Sequence, residues 1–94
     1  MPVIAGNWKM HMGPNETRVF FDGLVLDQVD PNHELIVFPP SVSLVAAAHA
    51  CEGHGRVRLG VQNIHWEEQG AFTGEVSAGM ALQAGASHAL IGHS

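Results

Sequence analysis

The stretch Leu35-Ile36-Val37-Phe38-Pro39-Pro40 indicates the class of fold more directly than any other part of the sequence. Its four apolar residues follow one another without alternation, which is typical of a strand that is covered on both faces. The two prolines close the run, because proline has no backbone N–H to donate to a neighbouring strand. We therefore expect a strand over residues 35–38, buried in a parallel sheet between layers of helices.

Strand-like and helix-like segments alternate on both sides of that stretch. Short apolar runs predict a buried strand over residues 3–8 and a strand over residues 89–92, and Val57, Leu59 and Val61 predict a strand that reaches residues 62–63. Segments with apolar residues at helical spacing, or with high helix propensity, predict helices over residues 16–28, 42–51 and 78–84. Strands and helices that alternate at this spacing predict an α/β fold with a parallel sheet and right-handed crossovers. Two architectures fit this order, namely four strands of a doubly wound sheet or half of a (β/α)8 barrel.

Capping residues mark the ends of the first and third predicted helices. Asn15 and Ser77 are residue types that accept hydrogen bonds from the first free N–H groups of a helix. Gly23 weakens the first helix, because glycine has a low helix propensity. Gly85 is expected directly after the third helix, where a left-handed residue commonly ends the last turn.

Length, charge and cysteine content limit the class of protein. The 94 residues, 46% of them hydrophobic, suffice for one domain over residues 1–94 and are too few for two. The formal net charge of −5 makes nucleic acid and anionic membranes poor partners. No apolar run approaches the roughly 20 residues of a membrane span, and the first residues do not resemble a signal peptide. The single cysteine, Cys51, fits a reducing compartment, so we expect a cytoplasmic protein.

Polar residues at the ends of three predicted strands are the candidates for a binding site. Parallel α/β proteins bind ligands beyond the C-terminal ends of their strands, which here are residues 7–9, 62–63 and 93–94. Lys9 is the only lysine and would attract an anionic substrate locally, and His93 offers an imidazole for proton transfer. Taken alone, each position has an ordinary explanation, since a lysine after a strand is commonly solvated and Asn7 commonly forms an Asx-turn.

Other clusters of reactive residue types do not match a known chemical motif. His49, Cys51 and His54 lack a second pair of ligands at the spacing of a zinc site, and residues 65–68 lack the spacing of a metalloprotease motif. The sequence also contains no phosphate-binding P-loop, no dinucleotide fingerprint and no nucleophile elbow. We therefore expect no metal site.

Five segments together carry a resemblance to one enzyme family. They are Ala5–Met10, Phe38–Pro40, Gly60–Asn63, Gly70–Ser77 and Leu90–Ser94. In their order and spacing these segments resemble the triosephosphate isomerase family, and the resemblance covers essentially the whole chain. It implies the (β/α)8 TIM barrel rather than a doubly wound sheet. Such a barrel needs about 250 residues, so this chain would contain its first four parallel strands and three helices.

The resemblance also implies a reaction and the residues that carry it. The family interconverts dihydroxyacetone phosphate and D-glyceraldehyde 3-phosphate in glycolysis and gluconeogenesis, without a cofactor. It is itself the standard example of a glutamate base acting with a neutral histidine. Asn7 and Lys9 match the substrate-binding asparagine and lysine, and Lys9 would also stabilise the enediolate. His93 matches the catalytic histidine.

Residues 62–75 match the protruding loop with which family members enter a partner subunit. The resemblance therefore implies a homodimer for the full-length enzyme, with Thr73 and Glu75 at the dimer contact. Thr73 would reach the partner's active site and support Asn7 or Lys9 there. Trp66 and Phe72 are large apolar side chains in this polar loop, which agrees with a contact surface.

Two components of the family's site have no match in the 94 residues. The glutamate base and the closing lid of the family lie on later strands, so we expect the 94 residues alone to be inactive. An alternative is a non-catalytic half-barrel module that oligomerises through its open sheet edges, since strands one and four would each have an unpaired side.

Overall fold

Four parallel strands form one sheet in the computed structural model, which describes residues 2–91. The strands are β1 (Val3–Asn7), β2 (Glu34–Phe38), β3 (Val57–Val61) and β4 (His88–Ala89). Each strand pairs with the one before it, so the order across the sheet is β1-β2-β3-β4. A doubly wound sheet reverses its strand order at a switch point, whereas a barrel adds strands in chain order. The order therefore agrees with part of a (β/α)8 barrel.

Three α-helices connect the strands. They are α1 (Pro14–Asp22), α2 (Leu44–Ala50) and α3 (Ala78–Gln83), and 3-10 turns over Ser41–Ser43 and Cys51–Gly53 flank α2. The third helix confirms its capping signals, because Ser77 Oγ accepts from the Met80 N–H at 3.2 Å. Gly85 follows this helix with a φ of +109°, which is the left-handed conformation expected there.

The first helix differs from its predicted span of residues 16–28 at both ends. It begins at Pro14, with Gly13 as its N-cap, and the Glu16 carboxylate accepts from the Gly13 N–H at 2.9 Å. Asn15 does not cap the helix, because its side-chain oxygen accepts from Arg18 Nη1. The helix ends at Asp22, and Gly23 is the residue that stops it, so the helix stops where its propensity is lowest.

The first and last strands also differ from expectation. The sequence predicts a buried strand over residues 3–8, whereas β1 ends at Asn7 and its Val3 and Ile4 are 54% and 49% exposed. Within the described part of the chain, β1 pairs with β2 alone, so one of its sides has no strand to cover it. The last strand was expected over residues 89–92, whereas β4 spans His88–Ala89 and leaves out Leu90 and Ile91; residue 92 lies outside the described residues.

The hydrophobic core lies between the sheet and the helices. Alternate residues of the two central strands point toward the helices, and the buried members of this cluster are Phe21, Leu35, Leu44, Ala47, Val57, Leu59, Val61, Ala81 and Ala86. The intervening residues point to the other face, where the Phe38 ring covers Gly60. None of the helices within residues 2–91 has the length and apolar character that crossing a bilayer demands.

Arg56 connects the segment before β2 to the start of β3. Its guanidinium donates to the backbone carbonyls of Val29 at 3.2 Å, Asp30 at 2.5 Å and His33 at 3.3 Å. These three carbonyls belong to a segment that forms neither helix nor strand. The planar fork of an arginine is suited to several acceptors at once, so Arg56 holds this turn against the sheet.

Replacing Arg56 by lysine is expected to lower the free energy of unfolding by about 1–2 kcal/mol, because an ammonium cannot reach all three carbonyls. Urea unfolding followed by circular dichroism measures this change. Arg58→Lys is the matched control, since exposed Arg58 donates to one carbonyl among the described residues, that of Gly55. Equal losses from both substitutions would contradict a special role for Arg56.

Candidate active site

The loop from residue 8 to residue 13, which we call the β1–α1 loop, carries the candidate cation. Asn7 ends β1, and its side-chain oxygen accepts from the Lys9 N–H at 2.9 Å, which is the Asx-turn considered from the sequence. Lys9 has a φ of +55° and Met12 a φ of +75°. Left-handed backbone is costly for residues with a side chain, so this loop has a conformation that its surroundings must maintain.

Side chains from neighbouring elements hold both left-handed residues. Gln62 Nε2 donates to the Lys9 carbonyl at 2.8 Å and to the Phe38 carbonyl at 2.9 Å. Ser43 Oγ donates to the Met12 carbonyl at 2.6 Å, and Thr17 Oγ1 approaches the same carbonyl at 3.4 Å. The loop is thereby fastened to the end of β3 at one point and to the first two helical segments at another.

The arrangement places polar groups together where three strands end. Asn7, Lys9 and Gln62 follow or end β1 and β3, and Phe38 ends β2 between them. The Lys9 side chain is exposed, so its ammonium is available to a ligand from solvent. A single ammonium at the C-terminal edge of a parallel sheet can bind an anion even though the whole chain is acidic.

Two further predicted site residues, Thr73 and Glu75, were expected at a contact with a partner subunit and not at this chain's own site. Thr73 and Glu75 are exposed in the loop after β3, and among the residues described no hydrogen bond joins either of them to Asn7 or Lys9. His93, the predicted catalytic histidine, lies outside the described residues. Of the predicted site residues, Asn7 and Lys9 are the two that the described part of the chain joins by a hydrogen bond.

The loop that follows β3 has a defined local structure. The His65 and Phe72 rings stack with their centroids 4.1 Å apart, and the His65 N–H donates to the Val76 carbonyl at 2.7 Å. Trp66 is 86% exposed, although its ring nitrogen donates to His65 Nε2 at 3.1 Å. The loop is folded on itself and presents an aromatic side chain to solvent.

The histidines near Cys51 have separate partners. His49 lies 3.7 Å from the Glu52 carboxylate at the surface, and His54 Nε2 lies 2.8 Å from the Phe21 carbonyl. Across residues 2–91 no three histidine, cysteine, aspartate or glutamate side chains converge as metal ligands would. Each of these two histidines therefore has a partner of its own near the end of α2.

Burial raises the pKa of the Cys51 thiol, and the neighbouring Glu52 carboxylate acts in the same direction. We expect the rate of alkylation by iodoacetamide to reach its midpoint at a higher pH in the folded chain than in the urea-unfolded chain, because the thiolate is the nucleophile. As the pH rises through the ordinary thiol pKa, the Cys51 thiol ionises in the unfolded chain before it ionises in the folded chain. The contribution of Cys51 to the free energy of unfolding therefore falls with rising pH, and Cys51→Ala removes this contribution. Coincident midpoints for the two states would contradict this expectation.

From the sequence, Gln62 was a candidate for the site only through its place at a strand end, and Ser43 was not a candidate. Both act on backbone carbonyls that are far away in the sequence, which no local pattern reveals. A polar residue directly after an apolar strand, and a serine before an apolar helix, are the only local signals at these positions.

Comparisons with known proteins identify relatives over the whole chain. The family model described as triosephosphate isomerase matches residues 2–94. The triosephosphate isomerase of Solibacter usitatus is 46% identical over 94 residues, which are 99% of this chain and 37% of that protein. The one from Thermoanaerobacter sp. (strain X514) is 43% identical over 93 residues, again 99% of this chain and 37% of the relative.

A solved structure agrees with these relatives. The crystal structure of triosephosphate isomerase from Bartonella henselae superposes with a TM-score of 0.84 at 36% sequence identity, and the match covers 99% of this chain and 38% of that one. The chain thus spans somewhat more than a third of the length of the relatives that it matches.

Proposed function

We propose that this chain, which belongs to the triosephosphate isomerase family over residues 2–94, supplies the first four strands and half of the active site of an enzyme that interconverts dihydroxyacetone phosphate and D-glyceraldehyde 3-phosphate. The observation that carries the proposal is the β1–α1 loop, which presents Lys9 beyond the end of β1 in a backbone conformation held by hydrogen bonds. That position is where the reacting group of a barrel enzyme is expected.

Asn7 and Lys9 would divide the task of binding a triose phosphate. The Asn7 side-chain oxygen is engaged by the Lys9 N–H, so its Nδ2 group is the part that can donate to a substrate oxygen. The Lys9 ammonium would neutralise charge on the phosphate and on the developing enediolate. Both groups lie on backbone whose position is fixed before the substrate arrives, which reduces the reorganisation needed in the transition state.

His93 is proposed as the neutral imidazole that exchanges hydrogen bonds with the two substrate oxygens while the proton moves. The proposal for His93 is supported by the match of Leu90–Ser94 to the family and by the position of this segment after β4. The glutamate that removes the proton would come from the part of the barrel that the relatives possess beyond this match. General bases contribute about 10²–10⁴ in rate, and the closing lid would be missing as well, so the 94 residues alone should show no meaningful isomerase activity.

The test is a barrel chimera, in which residues 1–94 of this chain replace the matching segment of the Solibacter usitatus relative. We expect this barrel chimera to interconvert the two triose phosphates, and we expect neither of its two parts to do so alone. A chimera that is folded by circular dichroism but catalyses no interconversion would contradict the proposed function. The parent relative serves as the positive control, because it contains the same C-terminal part.

We also propose that the full-length protein is a homodimer in the cytoplasm. The exposed Trp66 supports a dimer contact through residues 62–75, with Thr73 and Glu75 exposed in the same loop. A cytoplasmic location would keep the thiol of Cys51 reduced. Analytical ultracentrifugation of the barrel chimera tests the dimer, and sedimentation as a monomer at micromolar concentration would contradict it.

The half-barrel module is the second candidate, and the exposed edge of β1 favours it. Val3 and Ile4 are apolar and about half exposed, as in a strand that can pair with another chain. Mixing the 94-residue chain with the C-terminal part of the relative separates the two candidates. Isomerase activity supports the enzyme, whereas a stable inactive oligomer of the 94-residue chain alone supports the module.

A further inference from the structure

We propose a second reactive site, in which Ser87 is a nucleophile that takes an acyl group from an activated carboxylic ester, with His88 as its base. This site goes beyond the proposed isomerase and shares no residue with it. It lies where β2 and β4 begin, whereas Asn7 and Lys9 lie at the opposite end of the sheet. The observation behind the proposal is a chain of contacts that joins a hydroxyl, an imidazole and a carboxylate.

The two nitrogens of the His88 ring face different partners. Nε2 lies 3.5 Å from the Glu34 carboxylate, and an ionised carboxylate can only accept a hydrogen bond. The proton of the neutral ring therefore belongs on Nε2, and the lone pair belongs on Nδ1. Ser87 Oγ lies 2.8 Å from Nδ1, within the distance at which a base can take the proton of a hydroxyl.

The sheet brings Glu34 and His88 together although they are far apart in the sequence. Leu35 on β2 and Leu59 on β3 belong to the core that packs against the helices, so their neighbours Glu34 and Gly60 face the other way. His88 stands in register with Gly60, and residues in register on parallel strands face the same side. Both side chains are thus on the sheet face away from the helices, where Glu34 is 36% and His88 35% exposed.

A backbone hydrogen bond fixes Ser87 next to the imidazole. Its N–H donates to the Leu59 carbonyl at 2.8 Å, which ties the residue to β3. The same carbonyl is 3.4 Å from Ser87 Oγ, so His88 Nδ1 is the nearer acceptor for the hydroxyl proton. Ser87 is exposed, and a substrate from solvent can therefore reach its oxygen. A nucleophile, a base within hydrogen-bond reach and a third group that orients the base are together the features of an activated serine.

The reaction at this site is an acyl transfer. Ser87 Oγ forms a bond to the ester carbonyl carbon while its proton moves to His88 Nδ1, and the Glu34 carboxylate stabilises the resulting imidazolium. The bond from that carbon to the leaving oxygen then breaks, and the leaving alcohol takes the proton from Nδ1. The products are an acyl ester on Ser87 and a free alcohol. An imidazole base does not stabilise the oxyanion, so the ester has to carry a good leaving group.

Acetylation of the barrel chimera by p-nitrophenyl acetate tests the proposal, with the modified residue located by peptide mass spectrometry. We expect acetylation of Ser87 to be about a hundredfold faster than that of Ser41, which is the lower end of what a general base contributes. Ser41 is the internal control, because it is exposed and no hydrogen bond among the described residues joins its hydroxyl to a histidine. His88→Gln should lower the rate at Ser87 to that of Ser41.

Two further variants separate a base from a support of the fold. Glu34→Gln should lower the rate at Ser87 about threefold while His88 is present and leave it unchanged beside His88→Gln, since Glu34 acts through the imidazole. His49→Gln is the matched control, because it removes another imidazole that lies near a carboxylate, that of Glu52. We expect this control to leave the rate at Ser87 unchanged.

Either of two results would overturn the proposal. One is acetylation of Ser87 no faster than that of Ser41, and the other is a fast reaction at Ser87 that persists in His88→Gln. Circular dichroism shows whether each variant is folded, and His88→Asn replaces His88→Gln if the latter does not fold. The rate at Ser87 can be measured whether or not the chimera interconverts triose phosphates, so the two proposals fail separately.

Discussion

Replacing Lys9 by methionine is expected to lower kcat/KM of the barrel chimera by about 10²–10³, the usual cost of removing one electrostatic contact from a transition state. Methionine keeps the length and the apolar stem of the side chain and removes only the charge. It also meets the same left-handed backbone as lysine, because neither residue is glycine. The fall in kcat/KM therefore reports the contribution of the Lys9 ammonium and not a change in the conformation of the β1–α1 loop.

The control for Lys9→Met is the same substitution at Arg18, which is exposed on α1. Both variants make the net charge more negative by one unit, but only Lys9 lies at the C-terminal edge of the sheet. We expect Arg18→Met to change kcat/KM by less than about twofold, because Arg18 is exposed on α1 and solvent and salt screen an exposed charge. Equal losses in the two variants would show that the overall field of the protein, and not a local contact, attracts the substrate.

The free energy of unfolding is a second quantity to measure for Lys9→Met. Exposed substitutions commonly change the free energy of unfolding by less than about 0.5 kcal/mol, so Lys9→Met should unfold at nearly the same urea concentration as the parent. A large shift of the unfolding midpoint would mean that the loss of activity comes from a damaged loop.

The second large effect is expected at Gly60, where an alanine should lower the free energy of unfolding by about 1–3 kcal/mol. A Cβ at this position would overlap the Phe38 ring, at 2.5 Å from Cδ1, and would stand 3.0 Å from the His88 carbonyl oxygen. Phe38 is itself 5% exposed, so its ring has little room to move aside. The penalty is one of packing, since Gly60 has ordinary strand backbone.

Gly55→Ala is the matched control for Gly60→Ala. No heavy atom of the described residues lies within 4 Å of a Cβ built at Gly55, so alanine there should be nearly neutral. Phe38→Leu supplies a second check, because a smaller side chain at position 38 should make Gly60→Ala less costly than it is beside phenylalanine. Urea unfolding measures all of these variants, and a Gly60→Ala variant as stable as Gly55→Ala would contradict the packing argument.

The sequence predicts the alternation of strands and helices well, because each element has a strong local cause. Residues 35–38 are a continuous apolar run, and β2 includes all of them. Ser77 and Gly85 mark the ends of α3 through capping interactions that involve only near neighbours in the sequence. Where the interaction that forms an element joins near neighbours in the sequence, the pattern of residues is sufficient to predict that element.

Features that depend on distant residues were predicted less well. The expectation that β1 is buried was wrong for Val3 and Ile4, because burial of a strand depends on what lies beside it and not on its own composition. The span of α1 was wrong for a different and local reason, since Gly13 and Glu16 cap its start and Gly23 ends it. The predicted roles of Asn7, Lys9 and His93 stay predictions.

The order of the strands has a consequence for how the chain acquires its fold. Each strand pairs with its immediate predecessor, through β1–β2, β2–β3 and β3–β4. No strand in the described part of the sheet has to wait for a later one to be inserted between it and its neighbour. A chain of this kind can assemble from its N-terminus while the ribosome is still adding residues, because each new strand finds its docking edge already synthesised.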